Sequence, residues 1–111
     1  MLRVLLHQMN ATVGDVDGNL AKVLEGLEHG RRLGADLCVF PECALTGYPP
    51  EDLLFLPDFL DTVRKAVEKA AAHTQGLTAL VGFVHRDDDL YNAAAVLHDG
   101  EFRGVALKSI L

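Results

Sequence analysis

Apolar residues recur along this chain in two rhythms, strand-like runs and helical stripes, and the switches between them mark its elements. Leu2, Val4, Leu5, Leu6 and Met9 crowd the start and predict a first, largely buried strand over residues 2–9. Asn10 to Asp17 reads as loop, with Gly14 and Asp15 as turn formers, and Asp17 or Asn19 can cap a helix over roughly 18–33. Leu20, Val23, Leu24, Leu27 and Leu33 follow helical spacing in that stretch, and Gly34 fits its C-terminal cap. Ala35 to Phe40 predicts a second buried strand, followed by a short loop rich in Gly and Pro. Pro57-Asp58 opens a second helix to about His73, with Phe59, Leu60, Val63, Ala66, Val67 and Ala70 as its apolar stripe. After the break at Gly76, Leu77–Val84, Tyr91–Leu97 and Phe102–Leu107 read as three strands joined at Asp87-Asp88-Asp89 and Asp99-Gly100. The order is β-α-β-α-β-β-β, an α/β domain without internal repeat or linker that takes up residues 1–111.

Composition narrows the function. Half of the residues are hydrophobic and the mean hydropathy is slightly positive, as in a folding sequence. Sixteen acidic residues stand against ten basic ones, a net charge of −6 that repels phosphate backbones, so nucleic acid is not an expected partner. No apolar stretch reaches the roughly 20 residues that span a bilayer, and the N-terminal apolar run lacks a small-residue cleavage site, so neither a membrane nor secretion is expected. Cys38 and Cys43, about 16 Å apart if the segment is extended at strand rise, are too far apart for a disulfide, which fits a reducing cytoplasm. His7, His29, His73, His85 and His98 are scattered without metal-ligand spacing, and there is no phosphate-binding glycine loop, so no metal or cofactor is expected to bind here.

The densest chemistry is in Phe40-Pro41-Glu42-Cys43-Ala44-Leu45-Thr46-Gly47-Tyr48-Pro49-Pro50-Glu51-Asp52-Leu53-Leu54. A carboxylate directly after a buried strand lies at the rim of a sheet, where α/β proteins place their sites. Taken alone, Glu42 is also readable as a rim carboxylate that caps the next turn. The whole block resembles the catalytic-glutamate motif of the nitrilase, or carbon–nitrogen hydrolase, superfamily. The Thr46-to-Leu54 tail is similar to the glutaminase domains of glutamine-dependent NAD synthetases. The resemblance extends to Lys108-Ser109-Ile110-Leu111, which matches the opening of the family's lysine motif, and to the Tyr91-Asn92 pair.

The resemblance implies a partial α-β-β-α sandwich and a Glu-Lys-Cys mechanism of amide hydrolysis. Glu42 is then the general base and Lys108 the cation that steadies the oxyanion. The nucleophilic cysteine is expected beyond Leu111: Cys38 lies inside a strand, and Cys43 is expected to be a packed small hydrophobe where the family has an aliphatic residue. Tyr48 resembles a tyrosine of the glutamine pocket, although a loop tyrosine packing over the prolines is equally open. Asn92 is expected to bond local backbone, while Glu51 and Asp52 open a turn of helix. The implied substrate is glutamine, whose ammonia serves ATP- and Mg-dependent amidation of deamido-NAD in a synthetase domain absent from this chain. Two other readings are a free-standing amidase of another small amide and a non-catalytic nitrilase-like oligomerisation module. The final strand stops without a covering helix, so the sequence looks cut, the segment alone is expected to be inactive, and its open edge is expected to drive homo-oligomerisation.

Overall fold

Where each element begins and ends is decided by local chemistry that the computed structural model, covering residues 1–111, makes explicit. The first helix, α1 (Val16–Arg32), follows the edge strand β1 (Val4–Leu6). Its N-cap is Asp15, whose carboxylate accepts from the Gly18 amide, and not the predicted Asp17 or Asn19. Gly34 ends it as expected, with φ +70° and its amide donating to Arg31 O. β2 (Leu37–Val39) leads through a loop and a 3₁₀ turn at Glu51–Phe55 into α2 (Phe59–Ala71), then β3 (Thr78–Arg86), β4 (Leu90–His98) and β5 (Glu101–Ile110). The predicted order holds.

The strands lie side by side in chain order, β1-β2-β3 parallel and β3-β4-β5 an antiparallel meander. Two successive crossovers in one direction put α1 and α2 on the same face, given the right-handed rule for β-α-β units. Val23 and Leu27 of α1, Val63 and Val67 of α2, and Cys38, Val81, Phe83, Ala95 and Leu97 of the sheet form one core between them.

The opposite face is a different surface. Leu6, Val39, Leu80 and Val96 are paired in one row across four strands, and beside it Gly82, Ala94 and Ala106 make a second row of small residues. No helix covers either row. This corrects the expectation of a buried first strand: Val4 and Leu6 are exposed, because β1 is an edge strand packed on one face only.

Asn19, predicted as a cap, is fully buried inside α1 and binds two loops together. Its amide nitrogen donates to Thr12 O (2.8 Å) and Leu45 O (3.0 Å), and its oxygen accepts from Thr12 N (2.8 Å). Removing a buried group with three bonds strands its partners in a low-dielectric interior. Asn19→Ala is therefore expected to lower unfolding free energy by on the order of 2–3 kcal/mol in denaturant titration, and a loss below about 0.5 kcal/mol would contradict this role.

Candidate active site

The loop after β2 is held against the sheet by contacts that leave little freedom. Phe40 N still bonds Leu80 O (2.9 Å), so the strand direction persists to the residue before Pro41. The chain then turns over β3 at Gly82, with Leu45 N reaching Gly82 O (3.4 Å). A Cβ on Gly82 would lie 2.2 Å from Pro41 O, 2.7 Å from Cys43 N and 2.8 Å from the Glu42 Cα. A glycine inside a strand often marks such a close backbone approach. Cys43 takes a left-handed φ of +52°, and Ala44, Leu45 and Thr46 are buried beneath the turn. Glu42 is the residue this geometry lifts out above the open face.

Gly82→Ala should therefore be costly, because the atoms it meets are backbone and cannot rotate away. Overpacking of this kind costs typically 1–3 kcal/mol, and we expect the upper part of that range. The check is the denaturation midpoint; an unchanged midpoint would show that the loop yields freely.

Lys108 reaches Glu42 across the same open face from the edge strand β5. On β5 the pairing passes from Leu107 opposite Ala93 to Ser109 opposite Asn92, so Lys108 is the extra residue of a β-bulge. Bulges re-aim side chains, and here two residues of β5 oppose Asn92 alone. Lys108 Nζ donates to Glu42 Oε1 at 2.6 Å, and Asn92 Nδ2 donates to the same oxygen. Sequence reading thus misplaced Asn92: it bonds the carboxylate and not local backbone, since β4 carries it to the open face beneath Glu42.

These three side chains help line a depression of about 410 Å³, together with Leu80, Gly82, Ala94 and Ala106. Charge in the site is arranged in a consistent direction. Hydrogen bonds from Lys108, first, and Asn92 hold the Glu42 carboxyl below its ordinary range, and the Glu42 carboxylate raises Lys108. The carboxylate therefore persists to lower pH and the ammonium to higher pH. The side chains are 44% and 70% exposed, so this ion pair adds little to stability. A paired anion and cation with an apolar lining can take a proton and hold a developing negative charge.

Glu42 and Lys108 are thus brought into contact, 66 residues apart in sequence. Tyr48 is not in that contact; it is 69% exposed and outside the lining of the depression. Cys38 and Cys43 are unpaired and buried, and desolvation raises both thiols, Cys43 packing with Leu60 and Val84. A buried, protonated thiol is a poor nucleophile. No helix is long and apolar enough to cross a membrane. Glu51–Phe55 forms the expected turn of helix.

Known proteins share the sequence and fold of this chain. The sequence profile of the carbon–nitrogen hydrolase family matches residues 3–111. A glutamine-dependent NAD(+) synthetase of Thermotoga maritima is 52% identical over 96% of this chain and 19% of its own length. One from Aquifex aeolicus is 42% identical over 100% of this chain and 20% of its own. The solved structure of the glutamine-dependent NAD+ synthetase of Acinetobacter baumannii, in complex with ADP, superposes with a TM-score of 0.88 at 34% identity, over 96% of this chain and 20% of that one. The chain spans about a fifth of the length of these relatives. With its fold, its Glu42 loop and its Lys108 bulge all falling inside the matched region, the chain belongs to the carbon–nitrogen hydrolase family.

Proposed function

We propose that residues 1–111 are the N-terminal part of the glutaminase domain of a glutamine-dependent NAD synthetase. The observation that carries this reading is the Glu42–Lys108 contact, built by a glycine-supported loop and a bulge beside an open depression. The extent of identity to NAD synthetases supports the choice of enzyme. In the intact domain the uncovered row Leu6, Val39, Leu80 and Val96 packs against the second sheet of the sandwich, which also brings the nucleophile.

The chemistry then divides among named groups. Glu42 accepts the proton of an incoming cysteine thiol, and the sulfur attacks the side-chain amide carbon of glutamine. The carbonyl electron pair moves onto oxygen, where the Lys108 ammonium offsets the charge. As the C–N bond breaks, the nitrogen leaves as ammonia with the proton returned from Glu42. Glu42 next takes a proton from water, whose oxygen attacks the thioester carbon, and the sulfur leaves with that proton. The balance is glutamine plus water to glutamate plus ammonia. Tyr48 contributes to the glutamine pocket once the remaining walls are in place. A separate synthetase domain, with ATP and Mg, uses the ammonia to amidate deamido-NAD. Two unpaired cysteines suit a reducing cytoplasm for this enzyme.

The test is to supply the full-length enzyme with ATP and deamido-NAD and compare glutamine with ammonia as the nitrogen source. NAD formed from both supports the reading. Glutamine left intact while another small amide is hydrolysed, without dependence on ATP, would replace it by a free-standing amidase.

A further inference from the structure

Three donors and acceptors around Glu42 form a chain with a single direction. Asn92 is 7% exposed, on β4 directly beneath the carboxylate. Its two amide ends meet different neighbours. A carboxylate only accepts, so the end that faces Glu42 Oε1 is Nδ2–H. The other end, Oδ1, accepts from the Cys43 thiol at a sulfur distance of 4.0 Å. The orientation of the amide therefore follows from its partners.

Lys108 donates to Oε1 as well. Both donors thus occupy one oxygen, and Oε2 accepts no hydrogen bond from the protein. The arrangement is fixed by the backbone: the bulge sets Lys108 and Ser109 opposite Asn92, and Gly82 lets the Glu42 loop come down onto β3. On the reading of Glu42 as general base, we propose that Asn92 is a positioning residue that, with Lys108, commits Oε1 to the protein and leaves Oε2 as the oxygen that takes and returns the proton. Charge on Oε1 is stabilised by two donors, whereas the lone pairs of Oε2 stay available to a thiol or a water. Rotation of the carboxylate would exchange the two oxygens, and Asn92 is the buried anchor that resists it. Lys108 alone, on an exposed flexible stem, is a weaker anchor.

The titratable groups around Glu42 are Lys108 on β5 and Cys43 in its own loop, while β3 presents Gly82 and β4 presents Asn92. Asn92 is the second of the two donors that lower the Glu42 carboxyl, so its loss should be visible in a pH profile. The experiment uses the full-length enzyme with Asn92→Ala and the near-isosteric Asn92→Asp. Glutamine hydrolysis is followed against pH, beside ammonia-dependent NAD formation. For both variants the expected result is a fall in kcat of about 10–100-fold at neutral pH, comparable to a misplaced catalytic group, with KM within a few-fold. The acidic limb of kcat/KM should move to higher pH, further for Asn92→Asp, which sets a like charge against Glu42. Ammonia-dependent synthesis should persist.

Activity lost with no movement of the acidic limb, or ammonia-dependent synthesis lost in both variants, would assign Asn92 a merely structural role and overturn the proposal. Full glutaminase activity in both Asn92 variants, with Glu42→Gln inactive, would overturn it while leaving the reading of Glu42 intact. Full activity in Glu42→Gln would instead remove the reading on which it rests.

Discussion

Glutamine hydrolysis by the full-length enzyme should fall about 10²–10⁴-fold in kcat when Glu42 is replaced by Gln, the range for loss of a general base. The substitution keeps the size of the side chain and removes its ability to take a proton. It also turns an acceptor toward two donors into an amide, one end of which can still accept from Lys108 and Asn92. The loop should therefore stay in place, held as it is by Gly82 and by the Asn19 bonds to Thr12 and Leu45. Because the ion pair is largely exposed, the change should cost little stability. Synthesis of NAD from added ammonia bypasses glutamine and should continue near its normal rate. A parallel loss of both activities would make Glu42 a structural residue.

Lys108→Met should produce the second large effect, for a different reason. The thioether preserves much of the apolar stem and deletes the fixed cation that the proposed mechanism sets beside the developing oxyanion. Losing one preorganised oxyanion partner costs about 10²–10³-fold in kcat, so a fall of that size is expected for glutamine hydrolysis. A second signature follows from the direction of the Glu42 shift. Lys108 is the first cause of the lowered Glu42 carboxyl, so its removal raises that group toward the ordinary range. The base is then protonated at higher pH, and the acidic limb of kcat/KM moves upward. Linkage gives the same sign for stability: a depressed folded-state carboxyl contributes above its unfolded value and loses that contribution as pH falls through the folded one. Here that contribution is small, since both partners face solvent. An acidic limb that stays in place in Lys108→Met would separate the lysine from Glu42 in function.

The elements were legible because each carries a local signal. The α2 stripe of Leu60, Val63, Val67 and Ala70 has the period of a helix buried on one side, and it is buried. Asp99-Gly100 marks a hairpin turn, and both residues have the positive φ such turns require. The exposure of β1 was not legible, because an apolar run reads alike whether one face or both are covered. That depends on what lies across the sheet, and a single strand carries no trace of it. Asn19 was misread for a related reason: its residue type fits a cap, and only the fold brings Thr12 and Leu45 within reach.

The site divides in the same way. Glu42 and Lys108 were found through motif resemblance, and the fold supplies the contact between them. Asn92 is marked by the same resemblance, but its bond to Glu42 is not legible in the sequence, because nothing local says that β4 passes under the Glu42 loop. Gly82 did leave a signal, an isolated glycine in the run Ala79-Leu80-Val81-Gly82-Phe83-Val84, which is the mark of a close backbone approach. Reading that glycine as a seat for another segment would have pointed to the loop above it.

The most direct measurement is the ratio of glutamine-driven to ammonia-driven NAD formation by the full-length enzyme, taken for the unaltered protein, Glu42→Gln and Lys108→Met under the same conditions. The predicted result is a ratio that collapses by about two orders of magnitude or more in both variants, with the ammonia-driven rate nearly unchanged. A ratio that stays constant across the three proteins would contradict a glutaminase role for the Glu42–Lys108 pair.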